Sequence, residues 1–250
     1  MTLDTPTFAA PPRTLTVEVW SDVACPWCFI GKRRFAAALR EFEHRDHVDV
    51  VWRSYQLSPD TPTGPGRPEV DALVEMKGLP RDRVEQMFAH VTDVAAGDGL
   101  RYDFARTLAF NTFDAHRLLH LAREAGGAAL VEATMETLFS SHFEQGVDLG
   151  ADGALVRVAA QAGFAAHGWD DARVVAALDG DDGATAVRED LATARAIGVT
   201  GVPFFVVDRK YAVSGAQPAE VFTQLLDAGW REANPLVPAP TGEVCTDGTC

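Results

Sequence analysis

Cysteine is scarce in this chain of 250 residues, only four in all, which excludes a small scaffold stapled by disulfides. The length is enough to bury a core unaided, as one large domain or as one domain with a sizeable insertion. Basic residues are also in short supply: 22 Lys and Arg face 36 Asp and Glu, a formal net charge of −14. That balance disfavours phosphate backbones, so no nucleic-acid partner is expected and the acidity reads as solubility. Nowhere does the chain offer about eighteen uninterrupted apolar residues, so a transmembrane helix is excluded. The opening M-T-L-D-T-P-T-F-A-A-P-P-R lacks a basic start and a long apolar run. It reads as neither secretory signal nor membrane anchor, and the expectation is a cytoplasmic protein without a membrane partner. Glycine-rich phosphate loops, dinucleotide fingerprints, serine elbows and internal repeats are missing as well.

What is present is a pattern in those few cysteines. They fall as two close pairs at opposite ends of the chain, Cys25 with Cys28 and Cys245 with Cys250. In a compartment that keeps ordinary thiols reduced, paired cysteines point to redox cycling or metal binding rather than to a structural bridge. Leu15, Val17, Val19 and Trp20 read as a strand and Ser21 to Ala24 as a tight exit. Phe29, Ile30, Phe35, Ala38, Leu39 and Phe42 then form a helical apolar stripe. Cys25 therefore falls at a helix N-terminus, where unpaired amides and the positive dipole end favour a thiolate and lower its pKa below the free value of ~8.5. Pro26 suits the first helical turn. Cys25 is the candidate attacking thiolate and Cys28, one turn on, the resolving thiol. Pro26 and Trp27 between them are expected to tune redox poise and to touch substrate.

Around this motif the chain reads as an α/β protein. Val48 to Leu57 alternates as a second strand, completing a βαβ unit. The run S-P-D-T-P-T-G-P-G-R-P at Ser58 to Pro68 breaks it and marks an insertion. From Glu69 to about Leu178 the pattern predicts four to six helices. A helix over about Ala184 to Ile197, stopped by Gly198, precedes strands at Pro203 to Val207 and Tyr211 to Ser214, joined by Asp208, Arg209 and Lys210. Pro218 opens a last helix reaching about Ala228. The expected organisation is a disordered leader over 1–13, a core of 14–57 and 184–230, a helical insertion over 69–178, and a flexible tail over 231–250. Strand, helix, strand, helical block, then helix, strand, strand, helix is the element order of a thioredoxin-like core with an inserted α-helical domain.

Several other residues are candidates with competing explanations. Cys25, Cys28, Cys245 and Cys250 could together ligate zinc, although a long amphipathic helix after the first pair argues against a zinc knuckle, and no metal site is expected. Glu18 and Asp22 flank the motif and could relay a proton to Cys28, or be ordinary exposed acids. Lys32 could lower a thiol pKa or be solvated. In N-T-F-D-A-H-R-L-L-H, Asn111 or Thr112 is a plausible N-cap. His116 and His120 share a helix face, with His116 a candidate to line the thiol cleft. Cys245 and Cys250, in C-T-D-G-T-C, could close a small disulfide that exchanges with the first pair, or be two unremarkable tail thiols. Pro203, in G-V-P-F, lacks the N–H that a central ladder needs and so marks a strand entry.

The stretches S-D-V-A-C-P-W-C-F-I-G-K-R-R-F, N-T-F-D-A-H-R-L and G-V-T-G-V-P-F-F together resemble the FrnE-like branch of the DsbA family, over nearly the whole chain. The resemblance implies a thioredoxin-like core with a helical insertion, a reactive pair at Cys25 and Cys28, and a cis proline at Pro203. A cis bond there would expose the Val202 backbone to an extended peptide near Cys25. Some FrnE-like proteins also carry a C-terminal C-x4-C, matched by Cys245 and Cys250. The same superfamily holds 2-hydroxychromene-2-carboxylate isomerases and kappa-class glutathione transferases, which typically have serine at the position of Cys25. The expected activity is therefore that of a thiol-disulfide oxidoreductase and isomerase, acting on disulfide-containing proteins or small thiols. It needs no bound cofactor, with glutathione as a conceivable redox co-substrate. The alternatives are a glutathione-dependent isomerase or transferase and a zinc-stabilised binding module.

Overall fold

The computed structural model describes residues 12–235, and at its centre lies a strand buried on both faces. This strand, β1 (Leu15–Ser21), exposes only part of Thr16, as expected of a strand that is covered on both sides. It pairs in parallel with β2 (Val48–Ser54), Leu15 facing Val48 and Ser21 facing Ser54. On its other side it runs antiparallel to β5 (Phe204–Val207), with Val17 opposite Val207 and Trp20 opposite Phe204. A last strand, β6 (Tyr211–Ser214), completes the sheet order β2-β1-β5-β6. The hairpin between β5 and β6 turns on two residues, Asp208 and Arg209, both at positive φ (47° and 56°). Lys210 closes that turn through its N–H to the Val207 carbonyl. Two-residue turns of this hand match strand twist, and the cost of left-handed Asp and Arg is offset by what the side chains reach. The Asp208 carboxylate accepts from the Thr16 N–H at 2.9 Å and Arg209 Nε donates to Glu18 at 3.0 Å.

Helix α1 (Pro26–Glu41) leaves the end of β1 and lies against the C-terminal helix α8 (Ala219–Ala233). On this side Phe35, Phe205 and Phe222 form a buried aromatic triad with centroids 4.5–5.7 Å apart. Between β2 and β5 the chain builds α2 (Glu69–Lys77), α3 (Arg81–Gly97), α4 (Phe113–Phe143), α5 (Ala154–Ala162), α6 (Asp171–Asp179) and α7 (Ala184–Ala196). The 31-residue α4 bends at Gly127, whose φ of 67° interrupts the helix. α1 is the wall shared by two cores, because Phe29 on its other face stacks on Phe139 of α4 at 4.9 Å. Buried Lys32 fastens the same contact by pairing with Glu132 and Glu136. Of the two roles considered for Lys32, neither is seen: it is an anchor between helices.

Three boundaries differ from the sequence reading. The second strand stops at Ser54 instead of Leu57, because the loop beyond it is claimed by other groups. The Leu57 N–H donates to the Asp22 carboxylate at 2.7 Å and the Gln56 amide turns toward Asn111. The Pro-rich break contributes a two-residue strand β3 (Arg67–Pro68), paired with β4 (Leu108–Ala109), which no periodicity could announce. α8 runs on to Ala233, since Trp230 stacks on His44 at 4.0 Å and Asn234 closes the end by bonding Arg13. Cys245 and Cys250 lie outside the described residues. No helix among the described residues is long and apolar enough to cross a membrane.

Candidate active site

The dithiol sits where β1 hands over to α1. Cys25 is the N-cap residue in extended conformation, Pro26 occupies the first helical position, and the Cys25 side chain makes no capping bond. The loop is set by backbone bonds, Cys25 N–H to the Asp22 carbonyl and Cys28 N–H to the Cys25 carbonyl, both 3.0 Å. Both cysteines are free and buried, Cys25 4% exposed and Cys28 fully enclosed. Burial, then the contact and charge of Cys25, push the Cys28 thiol well above its ordinary value. The Ser21 hydroxyl and a backbone bond from Asp22 offset this only in part. Cys28 therefore waits as a protonated thiol in contact with Cys25.

Facing the pair is the entry to β5. The Cys25 thiol points at the Val202 carbonyl, 3.6 Å away, and the Val202–Pro203 peptide is cis. The Pro203 carbonyl accepts from the Gly215 N–H at 2.8 Å, tying this segment to the end of β6. The segment can approach because residue 31 of α1 is glycine: a Cβ there would lie 2.8 Å from Pro203 Cγ. Pro26 and Trp27 are half-buried beside the dithiol. The Pro26 carbonyl accepts from the Tyr102 hydroxyl at 2.7 Å, and Trp27 lies 6.2 Å from the His90 ring. Burial, followed by the charge of Cys25, raises the Tyr102 phenol, so it remains a donor.

Of the two acids that flank the motif, Asp22 stays beside the dithiol and Glu18 does not. Glu18 lies away from the dithiol on β1, held by Arg53 at 2.7 Å and Arg209 at 3.0 Å. Burial alone would raise its carboxyl, but the bonds from Arg209 and Arg53 outweigh it and hold it below the usual range. Asp22 is buried against the motif. Its carboxylate accepts from Leu57 N–H and, at 3.4 Å, from Ala24 N–H, with His116 Nε2 also at 3.4 Å. His116 is only 1% exposed, so instead of lining the cleft it supports the loop through Asp22. His120, one turn on, meets Ser54 at 3.1 Å and Asp190 at 3.0 Å. The two imidazoles thus brace separate points. Among the described residues no group of three or more His, Cys, Asp or Glu is disposed to hold a metal ion. Thr112 is at the N-cap of α4 without a side-chain capping bond, and it is Asn111 that accepts the Phe113 N–H at 3.0 Å.

Two residues near Asp22 escaped the sequence reading. Glu69, at the start of α2, is pushed up to about 7 by burial and then by the charge of Asp22, and its Oε2 has no partner among the described residues. His142, enclosed near Phe110 and Phe143, is pushed down to about 4 by burial, with Asp22 opposing, and neither ring nitrogen has a partner among the described residues. Glu69 also lines a groove of about 710 Å³ that opens at Ala24, the neighbour of Cys25. The only advance signal for Glu69 was an acid in a helical first turn, which is commonplace.

A dithiol at the start of the helix that follows a central strand, faced by a proline-bearing strand entry, defines a thioredoxin-like protein. The profile of the DSBA-like thioredoxin domain matches residues 16–227. The chain belongs to this family of thiol-disulfide oxidoreductases. It is 40% identical to a probable DsbA oxidoreductase from Streptomyces coelicolor, with a TM-score of 0.80, covering 94% of this chain and 98% of that one. A 2-hydroxychromene-2-carboxylate isomerase is 13% identical (TM-score 0.64, covering 87% and 97% of the two chains). The cytosolic disulfide reductase DsbM from Pseudomonas aeruginosa, solved with GSH, is 17% identical (TM-score 0.59, 86% and 99%). At those identities they share the fold. The uncharacterized protein YwbO of Bacillus subtilis is 37% identical over 46 residues, which span only 21% of its length and 18% of this chain.

Proposed function

We propose that this protein is a thiol-disulfide oxidoreductase and isomerase acting on protein disulfides, with Cys25 as nucleophile and Cys28 as resolving thiol. The observation that carries the reading is the asymmetry of the pair: Cys25 caps α1 and faces the Val202 carbonyl, while Cys28 is sealed beneath it as a raised thiol. A thiolate at Cys25 meets the positive end of α1. It attacks one sulfur of a substrate disulfide, forming a Cys25–substrate disulfide and expelling the other substrate sulfur as thiolate, which takes up a proton. Cys28 then loses its proton and attacks Cys25 Sγ. This closes the Cys25–Cys28 disulfide and releases the second substrate thiolate, so two electrons pass from dithiol to substrate. Release by the substrate's own thiol before Cys28 acts leaves the dithiol reduced and the substrate rearranged, which is isomerisation. Val202, Pro203, Pro26 and Trp27 would present the surface on which the substrate strand lies.

The reading includes a cytoplasmic, reducing setting, supported by the description of DsbM as cytosolic, with small thiols such as glutathione able to return the dithiol to its reduced state. Cys245 and Cys250 enter as an auxiliary redox pair. α8 ends beside Arg13, at the opposite end of β1 from the dithiol. β1 is about 20 Å long at ~3.3 Å per residue, and the ten residues from Pro235 to Cys245 can span about 35 Å. Exchange with Cys25 is therefore within reach.

The test is reduction of insulin and rescue of scrambled ribonuclease by the purified protein. Activity is lost in Cys25→Ser, and a mixed disulfide accumulates in Cys28→Ser; unchanged rates in Cys25→Ser would remove the assignment. A glutathione-dependent isomerase draws its support from the shared fold. It requires one activating site and no resolving thiol, so glutathione-dependent turnover of a small aromatic substrate that survives Cys28→Ser would select it.

A further inference from the structure

The groove beside the dithiol combines apolar walls with an uncompensated acidic floor. It starts at Ala24, adjacent to Cys25, and occupies about 710 Å³. Leu57 and Met76 stand on its rim 48% and 56% exposed, two of the most exposed large apolar side chains described. Four charged residues line it: Asp60, Arg67, Glu69 and Glu75. Arg67, the one cation, is turned onto Glu75, so that pair contributes little net charge. Asp60 makes no ion pair among the described residues, and Glu69 keeps Oε2 buried without a partner. Behind them the carboxylate of Asp22 is occupied by backbone N–H groups and His116. A carboxylate enclosed with no donor is costly. A wholly apolar segment placed over it would deepen that cost, and an acidic one would add repulsion. A cation on an aliphatic stem matches both walls and floor.

We propose that this groove receives a lysine or arginine side chain next to the half-cystine under attack, stem along Leu57 and Met76, cationic head toward Glu69 and Asp60. The inference rests on Cys25 being the attacking thiol. It makes the protein selective for disulfides with basic flanks, a preference set by residues that take no part in the exchange itself.

Three short peptides identical but for Lys, Ala or Glu beside a single cysteine, each held as a mixed disulfide with thionitrobenzoate, provide the probe. The reduced full-length protein should react with the Lys peptide roughly tenfold faster than with the Glu peptide at low salt, with Ala between. The ratio should shrink toward unity at about 0.5 M NaCl. Asp60→Lys, a change in an exposed loop that leaves the core untouched, should bring the ratio to about threefold or less. Glu43→Lys makes the same charge change beyond the far end of α1 and should leave it at the wild-type value. Equal rates with all three peptides overturn the groove assignment alone, as does an equal loss of discrimination in Asp60→Lys and Glu43→Lys, which would trace it to net charge. Three inert peptides overturn the thiol assignment and this inference with it.

Discussion

Glu18 and Asp22 are four residues apart, one within β1 and one just past it, and both are buried, yet the protein treats them in opposite ways. Glu18 is clasped by two guanidinium groups, and Arg53 bridges onward to Asp190 at 3.1 Å. Asp22 has backbone amides and an imidazole but, among the described residues, no arginine or lysine. Around it Glu69, His116 and His142 each leave buried polar atoms without a partner among the described residues. The sheet end of the strand is built for cohesion. At the dithiol end cohesion is given up, the usual mark of a site kept for chemistry or binding.

The largest effect is expected at the dithiol itself. Cys25→Ser should reduce insulin turnover by a hundredfold or more, on the order seen when a covalent nucleophile is removed, while thermal unfolding stays near wild type. At the sheet end the reverse is expected. Arg53→Ala leaves Glu18 with Arg209 alone and frees Asp190 of its guanidinium. Since Arg53 is about a third exposed, the loss should be about 1–3 kcal/mol in urea unfolding at pH 7, with exchange kinetics preserved. A drop in exchange rate without loss of stability would erase the distinction between the two ends.

Glu69 makes the dithiol end sensitive to pH. Its folded pKa, about 7 against 4.5, is raised, so between those values the folded state holds a proton that the unfolded chain has released. Its contribution to stability falls as pH rises from about 4.5 to about 7 and is flat beyond. Glu69→Gln should therefore stabilise the protein by about 2–3 kcal/mol at pH 8 and change little at pH 4.5. A pH-independent effect would mean that the carboxyl ionises freely. His142 has the opposite sign: its folded pKa is depressed to about 4, so stability is lost as pH falls from about 6.5 toward 4. His142→Leu, close in volume, should be the smallest change at pH 7.5, a gain of about 1 kcal/mol from removing unsatisfied nitrogens. The gain should widen at pH 5, and denaturant midpoints at the two values check it.

How much of this could be read beforehand depended on sequence distance. β1, α1 and the two late strands were legible because their apolar periods are local, and C-P-W-C marked the thiol centre because a helix start needs only its own residues. Long-range satisfaction was not legible. Lys32 read as a charge that could lower a thiol pKa or as a solvated side chain, and nothing nearby announces Glu132 and Glu136 a hundred residues on. Asp22 could be weighed as a buried acid, but its donor Leu57 and its neighbour His116 come from two other segments, which is also why the second strand was drawn three residues too long. Tyr102 and Glu69 carry no motif at all. They matter through what surrounds them, and surroundings are assembled only by the fold.

Gly31 lies in the interior of α1. A glycine inside a helix costs about 1 kcal/mol relative to alanine, so anyone stabilising this protein by improving its helices would change this position first. Because a β-carbon there would collide with Pro203, that choice would drive the facing segment off the dithiol. The residue works as a spacer of zero thickness, and inserting one or more methyl groups would widen the gap between thiol and docking strand by graded steps, an adjustable handle on substrate grip that leaves both sulfurs intact.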